Sequence, residues 1–360
     1  SIGSDAVQAT GLTSLTIPSC VTTISNGAFK GLSALTSVVI PDSVTSIGTS
    51  AFQSTGLTSL TLGSSVTHIY DNAFAGTSLT SLTIPDSVIY IGSLAFADVP
   101  LQTLVVGSGL QSKNAVGYEA FLNVCNTLRS VSIDSPGALG RGSLYQNNYN
   151  SSLIYYRDDS NYRRIRSLFT GLYFGGQRDL GWDTLPNGST IQSISADSAC
   201  PVLETIVLGD NVETVGDYAF RASEDSSALT SLTLGSSVTS IGSYVFNNAT
   251  ALTSVVIPDS VTSIGVGAFS NTSALSSLTL GSSVQSIGSN AFERTGLTSV
   301  VIPDSVTSID SYAFRNASAL SSVTFGSSVQ SIGSEAFLGT NLTSLTIPST
   351  VTSISAKAFK

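Results

Sequence analysis

Residues able to do chemistry are sparse in this chain, and most familiar catalytic arrangements lack a member. One histidine, His68, serves all 360 residues. A serine triad therefore has a single candidate base, and no Cys/His spacing suits a zinc site. His68 stands where equivalent segments carry Ser, which reads as an exposed strand residue. The glycine-rich stretch GALGRG from Gly137 lacks the strand–loop–helix setting that turns such a loop into a phosphate cradle. Nothing singles out a carboxylate pair among the 23 acidic residues. The expectation is a chain with no catalytic residues, no metal and no cofactor.

Residues suited to recognition, by contrast, are concentrated in one stretch. Between Asp134 and Pro186 lie Arg141, Arg157, Arg163, Arg164, Arg166 and Arg178, six of the twelve tyrosines and the single tryptophan, Trp182. Its centre, IYYRDDSNYRRIR, sets Arg157, Arg163, Arg164 and Arg166 among Tyr155, Tyr156 and Tyr162. Guanidinium groups bind carboxylates and sulfates bidentately, and tyrosine rings supply large, stiff contact area. These seven residues are the candidate contact with a protein or glycan partner. The competing reading is that they cover the flank of the fold and pair with Asp158, Asp159 or acidic residues of the repeats. The stretch carries six Arg against five Asp, while the remaining chain has eight basic residues against eighteen acids. An anionic partner is thus repelled by the bulk of the chain and attracted here. Nucleic acid is not an expected partner, because phosphate binding needs concentrated Lys and Arg and the whole chain has 14 at a net charge of -9.

The elements that must position these residues come from an internal repeat. Thirteen segments, from the one beginning at Leu12 to the one beginning at Leu342, share the pattern LTSLTIPxSVTSIGxxAFxxxx with a period of 22 to 23 residues. The alternation Leu15, Thr16, Ile17 has period two and marks a short strand with Leu15 and Ile17 inward. Pro18, Pro41, Gly63 and their equivalents break it, and a second short extended piece such as Val21 to Ile24 follows. A tight 3-10 or helical turn carrying Ala-Phe closes the unit. One unit cannot fold alone: burying one Phe and five aliphatics yields roughly 10 kcal/mol, less than the backbone entropy of ordering its residues. The fold class is therefore a mainly β repeat solenoid, a right-handed leucine-rich-repeat coil of two short strands and a turn per unit. Phe29, Phe52, Phe74 and the phenylalanines in register with them form its core ladder.

Register divides the chain further. The pattern fails over 134–186 and resumes through a degraded unit at Leu180, 23 residues before Leu203. This reads as a single solenoid over 1–360, with about 13 to 14 units and an irregular Arg/Tyr-rich insertion at 134–186. From Leu229 onward, LTLGSS units alternate with VVIPDS units, a super-period near 45 residues. Asp42, Asp86, Asp259 and Asp304 recur only in the second type, which reads as avoidance of stacked like charges. The chain opens on the back half of a unit and ends on another without polar caps, has no Met and no basic leader, and so reads as an excerpt of a longer array, truncated mid-repeat at its N-terminus and open to self-association. Its apolar runs are too short for membrane insertion.

Cys125 and Cys200 hold the same repeat position on either side of the insertion; a disulfide pinning it and two buried thiols both fit. Cys20 replaces a Ser and has no evident mate. Asn-x-Ser/Thr sequons fall at Asn150, Asn187, Asn248, Asn271, Asn316 and Asn341, about the number a Ser/Thr-rich chain yields by chance. Asn248, Asn271 and Asn316 follow the Phe by two residues, on what reads as an exposed turn open to N-glycosylation.

The units LTSVVIPDSVTSIGTSAF at Leu35 and LTSVVIPDSVTSIGVGAF at Leu252 resemble the BspA-like leucine-rich repeats of bacterial and protist surface proteins. That resemblance implies an extracellular, cell-surface, non-catalytic protein mediating adhesion or ligand binding. The family often places Cys three residues before the leading Leu, and only Cys125 and Cys200 keep it. A second reading is a structural glycoprotein subunit of a surface fibre, sheath or appendage assembled through repeat stacking. A third, an ice- or polysaccharide-binding Ser/Thr face, is weakened by Val39, Val105, Val256 and Val301, which break any regular Thr lattice.

Overall fold

The computed structural model describes residues 1–7, 11–110, 115–117, 120–124, 127–134, 202–217, 220–221 and 227–360, with the backbone of 153–158 and 161–166. They divide into two compact units, Ser1–Cys200 and Pro201–Lys360. The resumption of register expected at Leu180 lies outside the described residues, as do Cys125, Cys200, Asn150 and Asn187.

Unit 1 contains β1 (Thr23–Ile24), β2 (Ser37–Val39), β3 (Ser46–Ile47), β4 (Ser59–Thr61), β5 (His68–Ile69), β6 (Ser81–Ile84), β7 (Tyr90–Ile91), β8 (Thr103–Val106), β9 (Ser130–Ile133), β10 (Leu153–Asp158) and β11 (Asn161–Arg166). The second strands of successive coils stack in parallel as β1–β3–β5–β7 with no register slip: Thr23 faces Ser46, Ser46 faces His68, and His68 faces Tyr90. The first strands pair as β2–β4 and β6–β8–β9. Unit 2 repeats the plan with β12 (Thr205–Leu208), β13 (Thr214–Val215), β14 (Ser231–Thr233), β15 (Ser240–Ile241), β16 (Ser254–Val256), β17 (Ser263–Ile264), β18 (Ser277–Thr279), β19 (Ser286–Ile287), β20 (Ser299–Val301), β21 (Ser308–Ile309), β22 (Ser322–Thr324), β23 (Ser331–Ile332) and β24 (Ser353–Ile354). Its second strands form one seven-stranded parallel sheet, β13–β15–β17–β19–β21–β23–β24. The solenoid of short parallel strands expected from the repeat is what forms.

The core is the phenylalanine ladder. Phe52, Phe74, Phe96, Phe269 and Phe292 are fully buried, and neighbouring rings stack at 5.1 to 5.5 Å, with Phe52 and Phe74 inclined by 1°. Parallel rings at this spacing follow from identical rotamers repeated at the coil-to-coil rise.

The closing turn differs from the sequence expectation. It is not a 3-10 or helical turn, because residues flanking each Phe are left-handed: Ser50 (φ 56°) and Ser54 (φ 57°) around Phe52, Asn72 (φ 56°) and Gly76 (φ 66°) around Phe74. A 3-10 segment needs negative φ throughout. The alternation instead splits the amide groups between two tasks. Gln53 N–H bonds back to Ser50 O at 3.2 Å, closing the turn, while Ser50, Phe52 and Ser54 N–H reach Asp71, Ala73 and Ala75 O of the next coil at 2.8 Å each. The turn is thus a third ladder between coils.

The two-coil super-period also has a structural cause. In the Pro-Asp-Ser corner, Asp42 Oδ1 accepts the Ser64 backbone N–H at 2.7 Å and its hydroxyl at 3.0 Å, while the Ser43 hydroxyl donates to Val21 O of the preceding coil at 2.7 Å. Asp210, Asp259 and Asp304 clasp Ser236, Ser282 and Ser327 in the same way. The following coil must have Gly there, since a Cβ on Gly63 would stand 2.6 Å from the Pro41 carbonyl. A corner with Asp is therefore followed by a corner that opens on Gly-Ser, as Asp42 is by Gly63-Ser64 and Asp86 by Gly107-Ser108, a constraint beyond the avoidance of like charges. These N–H and hydroxyl donors hold the Asp42, Asp210, Asp259 and Asp304 carboxyls below the ordinary carboxylate range.

Candidate partner-binding surfaces

The Arg/Tyr stretch, read from sequence as irregular, contains a two-stranded antiparallel ribbon. Its register sets Tyr155 opposite Arg164, Tyr156 opposite Arg163 and Arg157 opposite Tyr162, with Leu153 opposite Arg166. Because strand residues alternate between faces, Tyr155, Arg157, Tyr162, Arg164 and Arg166 share one face of the ribbon, and Tyr156 and Arg163 share the other. Sequence reasoning found the residues but not the hairpin that sorts them. The signal was present: IYYR and YRRIR are β-prone runs separated by the Asp/Ser/Asn-rich sequence DDSN, a composition that bounds strands.

In unit 2, five charged side chains pair with one another. Arg315 Nε and Nη2 donate to the buried Glu293 Oε1 at 3.0 and 2.6 Å, and its guanidinium lies 4.4 Å over the Tyr312 ring. Lys357 approaches Glu335 at 3.7 Å. This ladder ties successive coils. Among the described residues no group of three or more His, Cys, Asp or Glu could hold a metal ion, and no helix is long and apolar enough to cross a membrane.

His68 departs from the expectation of an exposed strand residue. It is half-buried on β5, its Nδ1 lies 2.9 Å from Thr67 Oγ1, and its ring contacts two tyrosines. Ring centroids of His68 and Tyr70 lie 5.9 Å apart, of His68 and Tyr90 5.9 Å, and of Tyr70 and Tyr90 6.0 Å. Burial first, then the Asp71 and Tyr70 charges, push the Tyr90 hydroxyl above its ordinary range, so it remains a neutral phenol that can donate. The parallel register that aligns these residues could not be used from sequence until the stacking was fixed.

The exposed-turn expectation fails for Asn248, which is buried at 5 % exposure and whose Oδ1 accepts from Asn271 Nδ2 at 3.1 Å. Asn248 (φ 63°), Asn271 (φ 60°) and Asn316 (φ 58°) fill the left-handed position after the Phe, which Asn tolerates better than other side-chain-bearing residues. Turn geometry alone accounts for Asn at these places. Asn316 and Asn341 are exposed. Cys20 is exposed with a free thiol.

The BspA type leucine rich repeat region family matches in six copies over residues 1–129, 177–274 and 239–360. The chain belongs to the BspA-type leucine-rich repeat family. Among solved structures, this BspA-type chain is similar to a leucine-rich repeat protein of Eubacterium ventriosum, 22% identical over 94% of this chain and 80% of the other, with a TM-score of 0.40. It is also similar to one of Bacteroides ovatus, 22% identical over 89% and 80%, TM-score 0.39. A third is a leucine rich cell surface protein of Faecalibacterium prausnitzii, 21% identical over 94% and 70%, TM-score 0.31. Comparison with curated proteins gives no match.

Proposed function

We propose that this BspA-type protein is an extracellular, surface-displayed, non-catalytic adhesion or ligand-binding protein whose anionic partner, a sulfated or acidic glycan or an acidic protein patch, docks on the β10–β11 ribbon. The observation that carries this reading is the ribbon's register, which gathers Arg157, Arg164 and Arg166 with Tyr155 and Tyr162 on one face. Arginine and tyrosine are residue types suited to carboxylate and sulfate groups. Placing it in a chain otherwise rich in acids concentrates anion attraction at that point. Family membership supports a binding role, because these repeats stack into a scaffold whose exposed positions vary while the core is constant.

The test uses heparin and poly-glutamate as probes on the full 360-residue chain. Replacing Arg157, Arg163, Arg164 and Arg166 by Gln is expected to abolish heparin retention, to flatten the salt dependence of any residual binding, and to leave the melting temperature unchanged. Normal retention combined with a lower melting temperature would identify the ribbon as a buttress of the fold and overturn the reading.

A further inference from the structure

A second surface stands on different observations. The β1–β3–β5–β7 sheet aligns Thr23, Ser46, His68 and Tyr90 in one column. In unit 2 the same column reads Ser240, Ser263, Ser286, Ser308, Ser331 and Ser353. The column two residues further on holds Gly48 and Gly92 on either side of Tyr70, and Gly242, Gly265 and Gly288 in unit 2. Three aromatic rings thus replace Ser or Gly in two adjacent coils, and all three meet. Most sister coils close with Ser or Gly at these places, and Tyr70 keeps 41% of its surface exposed.

Beside them lies a hollow of about 270 Å³ lined by Thr23, Ser25, Asn26, Ser46, Gly48 and Tyr70. Ser4 and Ile24 complete the lining, so an aromatic ring and an aliphatic residue stand beside hydroxyl and amide groups. Asn26 Oδ1 already accepts the Thr49 N–H at 2.9 Å, which fixes the amide group in place. We propose that the His68–Tyr70–Tyr90 platform and this hollow form a binding site for a neutral glycan.

Three arguments select that ligand. A sugar ring has an apolar C–H face and a rim of hydroxyls, matching the exposed Tyr70 ring, braced by the inclined His68 and Tyr90 rings, beside hydroxyl and amide groups. Ring centroids about 6 Å apart mean that the rings touch one another, leaving no cage between them for an ammonium ion, which needs ring faces on several sides. Finally, residues 1–110 contain five Asp and one Lys with no Arg or Glu, a field that disfavours anionic sugars. The strands hold the platform rigid before binding, which reduces the ordering cost. Coils about 4.8 Å apart put successive recognition groups at intervals comparable to the advance of linked sugars along a chain.

Affinity electrophoresis of the full chain through gels containing laminarin, galactomannan or xyloglucan tests the site, with heparin gels and choline chloride competition as further arms. The chain should be retarded by at least one neutral polysaccharide, without competition by choline. The variant H68S/Y70S/Y90S, which installs the Ser of sister coils at 68 and 90 and the residue of the Ser25 coil at 70, should lose that retardation, with affinity weakened at least about tenfold, while keeping its melting temperature and its heparin behaviour. Tyr70→Ser alone, at the most open of the three rings, should show the same direction if the triple variant folds poorly. No retardation by any neutral polysaccharide, retardation unchanged in the folded variants, or displacement by choline would each overturn the proposal. Loss of heparin binding in the arginine variant leaves this site untouched, so the two surfaces fail separately.

Discussion

The second-strand sheets of the two units are built alike and presented differently. In both, Ile residues of successive strands point into the same core, as Ile47, Ile69 and Ile91 do in unit 1 and Ile264, Ile287 and Ile309 in unit 2. In both, the turn amides reach the next coil at about the same distance: Phe74 N–H to Ala95 O at 2.8 Å and Phe269 N–H to Ala291 O at 2.8 Å. Yet the outward column reads Ser, Ser, Ser in unit 2 and Ser46, His68, Tyr90 in unit 1. The repeat therefore stores its stability in the inward and corner positions and leaves the outward column open to change. Surface chemistry can be written onto one block of coils without altering the scaffold that carries it.

The largest effect should come from breaking what the two sheets share. Phe269→Ala removes a fully buried ring stacked at 5.2 and 5.5 Å on its neighbours, and is expected to cost about 3–5 kcal/mol. Because coils contact only their neighbours, hydrogen exchange should quicken first in the coils of Phe246 and Phe292. Uniform loss of protection along unit 2 would contradict the nearest-neighbour picture.

Next in size is the corner. Gly63→Ala places a Cβ against the Pro41 carbonyl with only backbone to yield, and an overpacking cost of about 1–3 kcal/mol is expected. Chemical denaturation measures it; a neutral result would show that the corner can spread. A smaller loss should follow Asp259→Ala, which frees the Ser282 N–H. The Asp259 carboxyl is held below its ordinary range by that bond. Its contribution is therefore present above the range of an unfolded aspartate and is lost as the pH falls through the depressed value. The melting temperatures of variant and wild type should differ at neutral pH and converge in acid. A gap that persists in acid would assign the effect to something other than the ionised clasp.

How much of this was legible beforehand varies with how local the cause is. The strands, the Pro or Gly break and the Phe ladder follow from a repeated pattern with apolar residues at fixed offsets, and they could be read directly. The left-handed positions flanking Phe could not, because Ser50, Leu94, Tyr244 and Glu335 all occupy the first of them and share no side-chain property that announces positive φ. The Asp–Ser clasp was visible only as an alternation of Asp and Gly, since its partners are 22 or 23 residues apart. The aromatic cluster was hidden for the same reason: His68 and Tyr90 are separated by a whole coil and meet only through the parallel register.

The separation of surface from core is most directly tested within a single coil, where Phe74 and the pair His68 and Tyr70 are a few residues apart. Hydrogen-exchange mass spectrometry should be run on Phe74→Ala and on H68S/Y70S/Y90S beside the wild type. The account predicts that the first loses protection in the coils of Phe52, Phe74 and Phe96, and that the second keeps wild-type protection throughout unit 1. Comparable loss of protection in both variants would contradict it, because the aromatic platform would then be part of what holds the coils together.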